Sequence, residues 1–188
     1  MSEKSVAQSV FIYGPYRKYL DWCGSRICKN IRYPEDMRIR IYEDKDKEEI
    51  TKLLYDAFGN KANIKQIKRY SKCYRNTFFI YEENNQILGY VGYYLHYHDI
   101  NHKKERIAVI YSIATALSNR KKGIGYKLLS DTIDILKQNE FHSVYALIHF
   151  KNIASQTMFH KADFTFEGPI NKLYGADAGY IVSKILNK

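Results

Sequence analysis

Cysteine, acidic charge and long apolar runs are all in short supply in this chain, and each shortage removes a class of protein. The cysteines are three, Cys23, Cys28 and Cys73. An odd number at loose spacing makes no disulfide framework, and no repeated Cys/His pairs accompany them as a zinc site requires. They read as ordinary reduced thiols, and no metal is expected. No apolar run approaches the roughly 20 residues that span a bilayer. Met1-Ser2-Glu3-Lys4 leads into no apolar segment followed by a small-residue cleavage site, so no signal peptide is expected and the location reads as cytoplasmic, without membrane contact.

What is present is a length of 188 residues with 45% apolar and 27% charged side chains, enough for one packed domain with a short appendage. Acidic residues number 20 against 30 basic ones, a net charge of +10. Such a balance attracts polyanions or a phosphorylated ligand. The excess is concentrated. Between Lys103 and Lys127 stand Lys103, Lys104, Arg106, Arg120, Lys121, Lys122 and Lys127, opposed only by Glu105, which leaves +6. Because most of the charge surrounds one loop, a nucleic-acid partner is not expected.

Residues 1–36 differ from the rest. They are aromatic-rich (Phe11, Tyr13, Tyr16, Tyr19, Trp22), broken at Gly14-Pro15, and bounded by Pro34. They read as an extension that docks on the main domain, residues 37–188, or on a partner. In that domain the alternation of Arg38 to Tyr42 predicts a strand. Ile50, Leu53, Leu54, Ala57 and Phe58 mark the apolar face of a helix that Gly59 stops. A weaker helical stretch covers Ile64 to Tyr74. Thr77–Tyr81 and Ile87–His96 predict a hairpin across Glu83-Asn84-Asn85. Arg106–Thr115 predicts a long strand, Gly123–Gln138 a helix, Ser143–His149 a strand, Asn152–Lys161 a helix, and Thr165–Glu167 and Gly179–Leu186 closing strands. Hairpin strands beside strand–helix–strand units imply an α/β chain with a mixed sheet.

The long strand runs through Ala116-Leu117-Ser118-Asn119 into Arg120-Lys121-Lys122-Gly123-Ile124-Gly125 and then a helix. A basic glycine turn at a helix start is an anion site, because the first N–H groups lack partners and the dipole favours negative charge. It is neither a Walker loop nor a dinucleotide G-x-G-x-x-G, since Leu128 stands at the last position.

These residues resemble a known family, the GNAT acyltransferases (Gcn5-related N-acetyltransferases). Ile113-Ala114-Thr115 followed by Arg120-x-x-Gly123-x-Gly125 matches the family's acetyl-CoA motif at its spacing. Asn152-Ile-Ala-Ser155-Gln-Thr-Met158-Phe159-His-Lys-Ala-Asp163-Phe164 matches a second motif, and Ile87-Leu88-Gly89-Tyr90-Val91-Gly92 the usual third strand. The resemblance covers about residues 37–186. It implies a mixed, mostly antiparallel sheet flanked by helices. It implies acetyl-CoA as co-substrate, with Ile113, Ala114 and Thr115 along the pantetheine arm and an N–H near Ile113 as oxyanion donor. Arg120, Lys121, Lys122, Gly123, Ile124, Gly125 and Tyr126 would surround the pyrophosphate, and Asn152, Ser155 and Phe159 the far side of the channel. Two positions depart from the pattern. Phe159 stands where the family often has a tyrosine acid, and Asp163 where it has glycine.

The implied reaction is attack of a neutral amine on the thioester, which needs a base. His149 is the first candidate, for its pKa range; Glu105 and Tyr111, on the strand leading to Ile113, come next, and His96 and His98 follow. The leading expectation is an N-acetyltransferase of a small amine, working as a monomer or homodimer. The basic balance favours an acceptor with a carboxylate or phosphate. The alternatives are acetylation of a protein N-terminus or lysine, and an acyl-CoA-binding sensor or interaction module without catalysis.

Overall fold

A computed structural model describes residues 38–59, 78–170 and 179–187, together with Arg32. The expected N-terminal extension, the helical stretch at 64–74 and all three cysteines lie outside the described residues.

The elements are β1 (Ile39–Ile41), α1 (Lys47–Phe58), β2 (Phe78–Glu83), β3 (Gln86–Ile100), β4 (Lys103–Thr115), α2 (Ile124–Gln138), β5 (Ser143–His149), α3 (Ile153–Lys161), β6 (Thr165–Ile170) and β7 (Gly179–Ile185). The strands form one sheet in the order β1-β2-β3-β4-β5-β7-β6. The β4–β5 pair is parallel and the others are antiparallel, so the mixed, mostly antiparallel sheet expected from the resemblance is what forms.

Tight turns place the long strands. Asn84 and Asn85, both at positive φ, close β2–β3. Asn101 and His102, at φ 49° and 64°, close β3–β4 in the same way. This is the mirror-image turn whose twist suits a hairpin. β3 and β4 are therefore longer than alternation predicts, and their far ends carry Tyr97–Ile100 paired with Lys103–Arg106.

The helices sit on opposite faces. Tyr93 on β3 meets Thr132 of α2 at 2.6 Å and packs edge-on against Phe79 at 5.8 Å, so α2 covers their face. Phe78, one residue away, points to the other face and contacts Tyr42 and Tyr111. Arg40, paired with Ile80 on that second face, grips Asp46 at the start of α1 through both guanidinium nitrogens at 2.6 and 2.8 Å. Burial is the largest influence on the Asp46 pKa and works to raise it, but the hydrogen bonds from Arg40 and from the Glu43 N–H, with the Arg40 charge, together outweigh it and hold the carboxyl below its usual range. The apolar positions expected of α2 (Ile124, Leu128, Leu129, Thr132, Ile135, Leu136) are all buried. On α1, Ile50, Leu53 and Leu54 are buried, while Phe58, expected on the apolar face, is exposed at the last turn.

Both α2 and α3 end in the same way. Phe141 N–H reaches Leu136 O (3.0 Å) and Glu140 N–H reaches Lys137 O (3.0 Å). Phe164 N–H reaches Phe159 O (3.1 Å) and Asp163 N–H reaches His160 O (3.0 Å). This is the Schellman arrangement, and in α3 the Phe159 and Phe164 rings make an apolar contact across it. Its left-handed position is held by Glu140 (φ 59°) and Asp163 (φ 57°) rather than glycine. The Asn139 side chain adds a bond to Ile135 O (2.8 Å) and clasps Arg32 by both its N–H (2.7 Å) and its carbonyl (2.9 Å). The described start of the chain is thereby pinned at the C-terminal end of α2.

Candidate active site

The sheet forks between β4 and β5. Their parallel pairing runs from Ile107↔Ser143 to Ile110↔Ala146 and stops. Beyond it, Ser112–Thr115 stay with β3 and Leu147–His149 stay with β7. The divergence begins at a register shift. Gly92 pairs with Ser112 and Tyr93 with Ile110, so Tyr111 is an extra residue in β4. A bulge bends its strand and adds twist, which carries the end of β4 away from β5. The Tyr111 ring folds back over Gly92, where an added Cβ would lie 2.5 Å from its hydroxyl.

The fork leaves one edge of β4 without a strand partner among the described residues. Ala116 N–H donates to Leu88 O at 2.9 Å. Antiparallel bonding alternates, so Ala114 and Ser112 also turn their N–H and C=O groups toward β3. Ile113 and Thr115 turn theirs into the gap. Arg120 confirms the direction, since its Nε donates to Thr115 O at 3.4 Å.

The same strand leads to the start of α2. A short 3-10 turn, Leu117–Asn119, and Lys121 at φ 62° reverse the chain. Gly123, at φ 81°, caps the helix without a side-chain hydrogen bond. The first helical bond runs from Lys127 N–H to Gly123 O (2.9 Å), so the N–H groups of Ile124, Gly125 and Tyr126 precede it. The first turn holds no acidic residue, while Arg120, Lys121 and Lys122 are exposed around it. Gly125 is needed for closeness: a Cβ there would stand 3.2 Å from Thr115 Oγ1 and 3.3 Å from Met158 Sδ. Met158, which sequence reasoning left unassigned, thus packs α3 against the turn. Lys161 lies over the Tyr126 ring at 4.4 Å.

On the β5 side, Asn152 caps α3 by accepting the Ser155 N–H at 3.1 Å. The sequence motif is therefore first a helix start. Phe159 is buried and packs edge-on against Phe164 at 4.9 Å. A phenyl ring in the core offers no proton.

The candidate bases do not converge. Glu105 sits in the far end of the hairpin, opposite His98 and ion-paired with Lys103 at 2.7 Å. Eight residues of strand separate it from Ile113, roughly 27 Å, because neighbours in a strand's sequence are distant along its axis. Tyr111 does lie at the fork, with its ring 4.5 Å from that of Tyr94 and 5.8 Å from that of Phe78. His149 lies at the fork's upper end, where its Nδ1 accepts the Lys151 N–H at 3.0 Å. That bond places the proton of a neutral imidazole on Nε2, so in this arrangement the ring is a donor. His96 lies in β3 beyond the last residue paired with β2, and His98 further out still. Tyr90 donates to Ser112 Oγ, and burial pushes the phenols of Tyr90 and Tyr93 well above their usual range.

Among the described residues no cluster of His, Cys, Asp or Glu could hold a metal ion. None of their helices is long and apolar enough to cross a membrane.

The site is thus an open mixed sheet, split where one strand runs into a basic helix start that no side chain caps. The sequence model of the Acetyltransferase (GNAT) family matches residues 47–164, and the chain belongs to that family. Among curated proteins none matches the sequence. Solved structures share the fold. Ard1 from Thermoplasma volcanium is 16% identical, with 80% of this chain and 97% of that one covered and a TM-score of 0.68. The ribosomal-protein-alanine N-acetyltransferase from Brucella melitensis is 21% identical (79% and 99% covered, TM-score 0.64). Arabidopsis thaliana Naa50, solved with the bisubstrate analogue CoA-Ac-MVNAL, is 17% identical (78% and 96% covered, TM-score 0.63).

Proposed function

We propose that this chain is an acetyl-CoA-dependent N-acetyltransferase whose acceptor is the amine of a small molecule. The observation that carries the reading is the continuity of the β4 edge with the α2 start. The Ile113 and Thr115 backbone groups face the fork, and the same strand delivers the N–H groups of Ile124, Gly125 and Tyr126 beside Arg120, Lys121 and Lys122. A pantetheine arm would extend β4 as an added strand. The diphosphate would rest on the helix start, where N–H groups and dipole favour it. Asn152, Ser155 and Met158 would flank the arm from α3.

Transfer then rests on positioning. The neutral amine nitrogen bonds to the thioester carbon, the Ile113 N–H stabilises the oxyanion that forms, and the C–S bond then breaks while the proton lost by the nitrogen passes through water to the departing thiolate. Phe159 supplies no acid, and the thiolate leaves without one from this position, its thiol having a pKa of about 8.5. Isothermal titration with acetyl-CoA tests the reading, together with turnover over a panel of amines. Micromolar binding with thiol release supports it. Absence of acetyl-CoA binding to the folded full chain sinks it, and binding without turnover on any amine would make the chain an acyl-CoA sensor.

A further inference from the structure

α3 meets the start of α2 at a thioether. Ser155, Met158, Phe159 and Ala162 fall on one side of α3, at spacings of three and four residues. Phe159 and Ala162 are buried in the core, while Met158 is half-buried at the edge of that stripe. Its Sδ would lie 3.3 Å from a Cβ added at Gly125, inside the first turn of α2, whose donors no side chain caps. A thioether is a weak acceptor. The sulfur therefore fills the space beside these N–H groups and leaves them for a ligand. The chain has three methionines, Met1, Met37 and Met158, and Met158 is the one among the described residues.

We propose that Met158 is an oxidation site through which hydrogen peroxide reversibly turns off acyl-CoA binding; the proposal rests on the acetyltransferase reading above. A sulfur lone pair attacks one peroxide oxygen, the O–O bond breaks, and the products are methionine sulfoxide and water. The sulfur loses an electron pair and the peroxide gains it. A half-buried thioether is open to so small a reagent. Oxidation inverts what the side chain does. An apolar, flexible group becomes polar, and its new oxygen is a strong acceptor next to the N–H groups of Ile124, Gly125 and Tyr126. Those are the donors the proposed function gives to the diphosphate. The negative end of the S–O dipole also repels a phosphate. The oxygen adds volume, too, where only glycine lets α2 and α3 approach. Sulfoxide and diphosphate therefore compete for one set of donors and one space. Conversely, an acyl-CoA arm flanked by Met158 covers the sulfur, so ligand and oxidant exclude one another. Methionine sulfoxide reductases, one for each epimer, return the thioether, which makes the loss reversible.

The test treats the full chain with hydrogen peroxide, then with dithiothreitol to recover reversibly oxidised thiols, and scores Met158 by peptide mass spectrometry. Isothermal titration should show acetyl-CoA affinity about 10-fold lower or worse in the sulfoxide form, the order of one charge-assisted hydrogen bond, with the circular dichroism spectrum retained. The two reductases together should restore it. Met158→Leu keeps the cysteines and the other two methionines; whatever its starting affinity, the same treatment should change that affinity less than twofold. Met158→Gln, which sets a carbonyl oxygen near the sulfur's place, should bind more weakly than the unaltered chain with no oxidant present. Excess acetyl-CoA should slow sulfoxide formation at Met158 at least fivefold, with N-acetylmethionine in the same tube as the measure of the oxidant. Sulfoxide at Met158 with unchanged affinity, a loss that the reductases do not restore, or an equal loss in Met158→Leu overturns the proposal. So does full affinity in Met158→Gln, oxidation at the same rate with acetyl-CoA bound, or a Met158 still reduced when N-acetylmethionine has been consumed. Absence of acetyl-CoA binding by the untreated chain would instead remove the acetyltransferase reading itself.

Discussion

The two ends of α2 are built on opposite plans. At the C-terminal end Phe141 and Glu140 return to the Leu136 and Lys137 carbonyls, and the Asn139 carboxamide bonds Ile135 and both backbone groups of Arg32. At the N-terminal end Gly123 brings no side chain, the first turn brings no acid, and three cations stand exposed. A helix leaves donors at one end and acceptors at the other without intrahelical partners. Here the acceptors are tied into the protein, while no side chain caps the donors, which the proposed function assigns to a diphosphate. In the proposed function the first end serves stability and the second serves binding.

That division can be broken by experiment. Gly123→Asp should have the largest effect. Aspartate tolerates the positive φ of 81°, so the fold stays, but a carboxylate beside the proposed diphosphate site should weaken acetyl-CoA binding 100-fold or more by calorimetry. Arg120→Ala should weaken it about 10-fold, the order of one charge-assisted hydrogen bond, with little change in Tm. Asn139→Ala reverses the pattern. It should destabilise the fold by about 2 kcal/mol in urea titration, because it strands buried partners, while the acetyl-CoA Kd stays within twofold. Glu140→Gly and Asp163→Gly are the smallest changes and should each stabilise by about 0.5–1 kcal/mol, by relieving the left-handed conformation. If Asn139→Ala cost affinity, or Gly123→Asp cost only stability, the two ends would not be separate devices.

Much of this plan is legible in the sequence. Gly123 and Gly125 within a basic turn mark the helix start, and the apolar spacing from Ile124 to Leu136 places its buried face. Ser143–His149 was readable as a strand because its apolar run is bounded by polar residues on both sides. The far end of the β3–β4 hairpin was not, since Asp99, Asn101, His102 and Lys103 look like a loop and nothing local shows that Asn101 and His102 adopt positive φ. Glu105 is close to Ile113 in sequence, and the strand converts that closeness into distance. Leu147 is exposed, although a leucine in a strand is ordinarily core; its exposure is a property of the fork. The fork itself depends on which strands stop pairing, and no residue type encodes that.

The bulge at Tyr111 makes the fork a matter of chain length rather than of chemistry. An alanine scan of β4 would change rings and methyl groups and leave the extra residue in place, so the gap would stay open in every variant. Removing one residue at position 111 would let Ser112 follow Ile110 in unbroken register with β3, and β4 could then run on beside Leu147 and Ile148. The sheet would heal, gaining backbone hydrogen bonds and losing its slot. A protein of this kind can drift widely in sequence and keep its groove, while one lost codon closes it.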